Sequence, residues 1–130
     1  MTRTPGLESV LVRFGVRMLC LSQAECALPV YRLAMAEAGG SATGQLFYEA
    51  GPADCVDLVS ELLSEAMRRG ELRASDPHLA ASQLIALVTS ETRSRLFQQT
   101  PPPLALRQIR SMARRAVETF LTGLAARRPD

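Results

Sequence analysis

Apolar side chains in this chain recur at steps of three and four residues, and no stretch of useful length alternates with period two. A strand with one buried face would write period two, so the pattern predicts an all-α fold. About six segments are set off by caps and breakers. The expected architecture is an antiparallel helical bundle of about six helices, the last two forming a pair.

The joint Met67–Ala81 (MRRGELRASDPHLAA) shows how one helix stops and the next begins. Gly70 stands where a left-handed cap favours a residue without Cβ, and Arg68 and Arg69 put positive charge on the last turn, where it suits the helix dipole. Asp76 followed by Pro77 reads as N-cap and first helical residue, because the carboxylate accepts from free amides and proline's missing donor costs nothing there.

The same punctuation divides the rest of the chain. A first helix is expected over about Leu7–Leu21, with Leu7, Leu11, Phe14, Met18 and Leu21 in one stripe. Ser22 with Glu25 has the spacing of a capping box, which predicts a second helix to about Ala38; Pro29 inside it implies a kink or a later start. Gly39-Gly40 closes that helix. A third covers about Ser41–Glu49 and a fourth Pro52–Arg69, with Val56, Val59, Leu62, Leu63, Ala66 and Met67 on its apolar face. The fifth is expected over Pro77–Gln99 and the sixth over about Pro103–Ala126. The prolines at 101–103 force a turn between them and make them antiparallel neighbours.

At 130 residues the chain has the length of one domain, read as 1–130. With 47% hydrophobic and 22% charged residues it has the composition of a globular protein. Every basic residue is Arg, which suggests genomic base composition before any shared role. A formal net charge of +2 does not by itself imply nucleic acid. Cys20, Cys26 and Cys55 are an odd set without close pairing, and no signal-peptide pattern opens the chain, so a cytoplasmic location is expected. The longest aliphatic runs, such as Leu84–Val88, fall far short of the ~20 residues of a membrane span, and no membrane partner is expected.

The order of Leu33–Ala38 (LAMAEA), Gln45–Pro52 (QLFYEAGP), Arg69–Arg73 (RGELR), Asp76–Gln83 (DPHLAASQ), a proline turn and Val117–Gly123 (VETFLTG) resembles the C-terminal regulatory domain of the TetR-like family of bacterial transcription regulators. The likeness runs from about Leu7 to Leu124. It implies a helical domain that binds a small, largely apolar effector and dimerises through its last two helices. In the family such a domain follows a three-helix DNA-reading head; too few residues precede Leu7 for one, so the expectation is a chain that lacks that head and does not read DNA alone.

Pockets for apolar effectors use aromatic and flexible side chains on facing helices. Phe14, Met18, Tyr31, Met35, Phe47, Val59 and Leu63 fit that description on the helices the family uses, although each also fits plain core packing. Tyr31 is the most informative, because a buried phenol needs a partner. The stretch Thr89–Arg95 (TSETRSR) departs from the family's leucine-rich pattern. By helical spacing Glu91 and Arg95 continue the face of Leu84, Leu87 and Val88. They are read either as a solvated i, i+4 ion pair or as polar groups in the pocket or seam, with Glu91 the candidate ligand contact. The candidate dimer seam holds Leu84, Val88, Met112, Ala116, Thr119 and Phe120.

Enzyme readings find little support. His78 is the only histidine and opens a helix without an evident nucleophile beside it. No His, Cys and carboxylate set has metal-ligand spacing, and no cofactor is expected. Cys55 near a helix start is read as a boundary residue before a redox sensor. The Arg68-Arg69, Arg114-Arg115 and Arg127-Arg128 doublets do not form one stripe, so solvated faces are their default reading. The primary expectation is an effector-binding and dimerisation domain. The alternative from another class is a headless interaction protein that captures full-length regulators as heterodimers.

Overall fold

A computed structural model describes residues 5–24 and 27–125. Six α-helices account for most of them: α1 (Pro5–Ser22), α2 (Ala27–Glu37), α3 (Thr43–Ala50), α4 (Pro52–Arg68), α5 (Pro77–Thr89) and α6 (Leu106–Gly123). A 3-10 segment, Ser90–Phe97, continues α5. Among the described residues the only β feature is an isolated antiparallel bridge between Leu72 and Ala125, so the all-α expectation holds.

α1 packs along α6 and α4 along α5, while α5 also lies against α6 and touches α1. α3 leans on α4, and α2 on α3, as an outer flank. The fully enclosed side chains include Leu11 and Leu19 of α1, Val59 and Leu63 of α4, Leu84 and Val88 of α5, and Val117 and Leu121 of α6. These four helices therefore share one core. Gly15 sits where three of them meet: a Cβ added there would lie 3.2 Å from the Ala113 Cβ and 3.5 Å from a Val88 methyl. The missing side chain lets α1 approach α5 and α6 closely.

The joint after α4 forms as its residues dictate. Gly70 has φ 78°, its N–H donates to the Met67 carbonyl at 3.0 Å, and Glu71 N–H donates to the Ala66 carbonyl at 2.9 Å. That pair of bonds is the Schellman cap, and it needs the left-handed glycine. Asp76 then accepts from the His78 and Leu79 amides at 3.0 and 3.3 Å, capping α5.

Several boundaries differ from the sequence expectation. Ser22 ends α1 rather than opening α2, its hydroxyl donating to the Leu19 carbonyl at 3.3 Å. Glu25 of the expected capping box lies outside the described residues. α2 starts at Ala27, which places Pro29 in the first turn, where its lost donor has no helical acceptor anyway. α3 begins at Thr43, not Ser41, because the Ser41 hydroxyl accepts from the Thr43 amide at 3.3 Å and holds a turn ahead of the helix.

The expected fifth helix changes character at Ser90, where the α-helix gives way to 3-10 geometry. Three hydroxyls there turn back on the chain: Thr89 to the Ile85 carbonyl at 3.0 Å, Ser90 to Leu87 at 2.6 Å and Thr92 to Thr89 at 2.9 Å. Such side chains compete with the helical ladder, and no large apolar residue in Thr89–Arg95 rewards continuing it. α6 starts at Leu106 instead of Pro103, since Ala105 is extended and its N–H donates to the Gln108 side chain at 2.7 Å. α6 ends at Gly123, before the expected Ala126, which lies outside the described residues.

Candidate functional site

Two surfaces collect the residues singled out by sequence. The first is the outer face of the α5–α6 pair. The helices run antiparallel, with Glu91 opposite Arg115 at one end and Gln83 near Gly123 at the other. Between them lies an open hollow of about 460 Å³ lined by Arg73, Gln83, Ala86, Leu87, Thr119, Phe120, Gly123 and Leu124. Its character is mainly apolar.

Of the candidate seam residues, Thr119 is exposed and lines the hollow with Phe120. Leu84, Val88, Ala116 and Phe120 are buried in the chain's own core, and Met112 packs against that core half-buried. The stripe that periodicity detects on α5 and α6 is thus the inward stripe. The outward residues Ala86, Leu87, Gln83 and Gly123 were missed, because Leu87 reads as one more core position and the others carry no strong signal. Arg73 was missed as well, because it sits in the loop and reaches α6 only in three dimensions.

The second surface is the α2–α3 flank. Ala34 is the only buried residue of α2, and α3 has none. Val30, Leu33, Met35, Leu46 and Tyr48 are exposed, Met35 by 60%. Tyr31 is 39% exposed, so its phenol is not the buried group the sequence reading considered. Its ring meets Phe47 of α3 edge-on, centroids 6.1 Å apart and planes at 78°, which favours the positive ring edge over the negative face. Phe14 and Met18 lie on α1, half-buried against the core, while Val59 and Leu63 of α4 are inside it. The candidate pocket residues therefore divide into an open pair of helices and the core wall.

Arginine ties this flank to the 3-10 segment. The Arg32 guanidinium on α2 donates to the carbonyls of Arg95 at 3.3 Å and Leu96 at 3.1 Å, and also to that of Gln98. Arg95 in turn donates to the Gln23 side chain at 2.8 Å. Glu91 and Arg95 do not pair with each other. Glu91 instead accepts two bonds from Arg115 of α6, at 2.8 and 2.7 Å, and those bonds hold its carboxyl below the usual glutamate range. The 3-10 winding, with about three residues per turn, removes the α-helical i, i+4 alignment that the pair would need. Thr92 takes the inward position, its hydroxyl donating to the carbonyl of Thr89 at the end of α5.

Other chemistry-bearing residues stay apart. His78 is exposed, Cys20 is exposed and Cys55 half-buried, and Cys26 lies outside the described residues. Among the described residues no group of three or more His, Cys, Asp or Glu is placed to hold a metal. No helix of the described residues is long and apolar enough to cross a membrane.

A helical core with an apolar outer face on its last two helices, flanked by a loosely seated helix pair, has the form of a regulatory domain. The chain belongs to the family of AefR-like transcriptional repressor C-terminal domains, which it matches over residues 9–125. It is thus a C-terminal TetR-like regulatory domain, as the ordered motifs implied. Neither a curated protein nor a solved structure matches it.

Proposed function

We propose that this domain pairs with a second copy through α5 and α6 and senses a small, largely apolar effector on its α2–α3 side. The observation that carries the pairing is the α5–α6 hollow, where half-buried Leu87 and the outer edges of the otherwise buried Phe120 and Leu124 line an open surface beside small, exposed Ala86 and Gly123. Small residues let facing helices approach, and the apolar ones supply area whose burial drives association. Thr119 lies at the middle of that face. Met112 lies on the same helix and belongs to the proposed seam, whereas Leu84, Val88 and Ala116 support it from within.

The effector reading rests on the flank. Tyr31, Met35 and Phe47 stand on helices that contribute little to the core, whereas Phe14 and Met18 pack against the core and Val59 and Leu63 belong to it. A ligand seated there trades water for apolar contact, and Met35 adapts to its shape. Glu91, held by Arg115 at the far end of the 3-10 segment, is a contact in this scheme only for a ligand that reaches that segment. Operator reading is not the work of these helices, whose apolar faces serve the core; DNA affinity of the chain alone is expected to be weak and lost with salt.

Light scattering at micromolar concentration tests the pairing. Twice the 14.1 kDa chain mass is expected, and Thr119→Arg should return the single mass with unchanged helicity. A monomer mass for the unaltered chain refutes it. Met35→Trp tests the flank: thermal stabilisation by apolar compounds should disappear while the dimer persists.

A further inference from the structure

The arginines of this chain are not all employed alike. Among the described residues, Arg32, Arg68, Arg69, Arg73, Arg95 and Arg115 each donate to an oxygen of the protein. Arg17, Arg93 and Arg107 have no such partner, and neither do Arg13, Arg110 and Arg114. The last three line one hollow of about 470 Å³ between α1 and α6, together with Glu8, Ser9, Val12 and Val16. Three guanidiniums against one carboxylate leave an excess of positive charge there.

We propose that the α1–α6 hollow binds a small amphipathic anion, a carboxylate or phosphate head on a short hydrocarbon tail. Arg110 and Arg114 are one turn apart on α6 and Arg13 comes from α1, so donors reach the head from both walls. Guanidiniums suit such heads because their planar forks bind two oxygens at once. Half-buried Val12 and Val16 offer the tail an apolar wall. The volume lies in the range of small-ligand sites, about 300–1,000 Å³. Glu8 at the α1 end disfavours a polyanion running through the hollow, which separates this occupant from a nucleic-acid backbone. The site lies on a different face from the proposed effector flank and dimer surface.

Calorimetry on the full chain with decanoate, kept below its micelle concentration, tests the proposal. One saturable site per chain is expected, with decanol and inorganic phosphate each binding at least about tenfold more weakly, since each lacks half of the recognition. Arg110→Gln with Arg114→Gln should weaken decanoate by about tenfold or more; both side chains are exposed, so the fold is retained. Arg93→Gln, removing an exposed arginine outside the hollow, should leave binding unchanged. Absence of decanoate binding, equal binding of decanol, or displacement by a short DNA duplex at physiological salt would overturn the proposal. Binding abolished by Met35→Trp but not by the double arginine change would also overturn it, while leaving the effector reading intact.

Discussion

The backbone N–H of Arg73 donates to the carbonyl of Leu124 across 3.0 Å, fastening the loop after α4 to the end of α6. The Arg73 guanidinium adds a bond to the Gly123 carbonyl at 3.0 Å, and Leu72 bridges to Ala125 beside it. The last carbonyls of a helix have no partner within the helix, so a loop that supplies donors stops the end from fraying. Arg73, Gly123 and Leu124 also border the α5–α6 hollow, so this clamp shapes one rim of the proposed dimer face.

Arg73→Ala keeps the backbone bond and deletes the guanidinium contact. A loss of about 0.5–1.5 kcal/mol is expected, the usual net worth of one hydrogen bond. Amide exchange in the last turn of α6 should quicken while the centre of α1 stays protected. Unchanged exchange there would mean that the guanidinium does not hold the helix end.

At Gly15 the limit is space. Valine would force its Cβ to within 3.2 Å of Ala113 and its methyls into Val88, so overpacking of about 1–3 kcal/mol is expected. Gly15→Ala should fall below that. Urea midpoints order the two variants, and a neutral valine would show that the helices separate freely.

Gly70 is constrained by backbone angle. Alanine at φ 78° should cost about 1 kcal/mol, by crowding its Cβ in the left-handed region. Gly6 in α1 has nothing within 4 Å of an added Cβ and no positive φ, so Gly6→Ala should be neutral or stabilising by up to about 1 kcal/mol. Thermal melts of the two should shift in opposite directions or leave Gly6→Ala unmoved.

Glu91 sets a pH dependence. Because Arg115 lowers its folded-state pKa, the pair's stabilisation is fully present above the unfolded-state pKa and is lost as pH falls through the folded one. Wild type should therefore exceed Glu91→Gln slightly at neutral pH, with the gap closing as pH drops below the ordinary glutamate value of about 4.3. Both partners face solvent, so salt should narrow the gap too. A gap that ignores pH and salt would show that the pair does not form in solution.

Within the candidate sites, legibility followed the range of the interaction. The sequence marks Tyr31 and Phe47 only as separate aromatic residues on two helices, and their edge contact needs α2 and α3 to dock. Glu91 and Arg95 share a sequence neighbourhood, yet the partner of Glu91 is Arg115 and that of Arg95 is Gln23. Both partners are distant in sequence, and no local pattern encodes them. Phe120 and Leu84 were recognised as apolar positions of the terminal pair, but an apolar stripe does not say whether its cover is the same chain or a second one.

What the sequence by itself determined is the set of helices, the caps at Gly70 and Asp76, the break at Pro52 and the family. Each of these depends on backbone geometry and hydrogen bonds within a few residues, or on an ordered series of such signals. Tertiary structure alone decided which face of α5 and α6 turns inward, where Arg73 lands, and how Gly15 admits α6. It also decided that Arg13, Arg110 and Arg114 stand around one hollow. Those outcomes depend on packing between segments far apart in the chain, where shape and volume rather than local propensity select the neighbour.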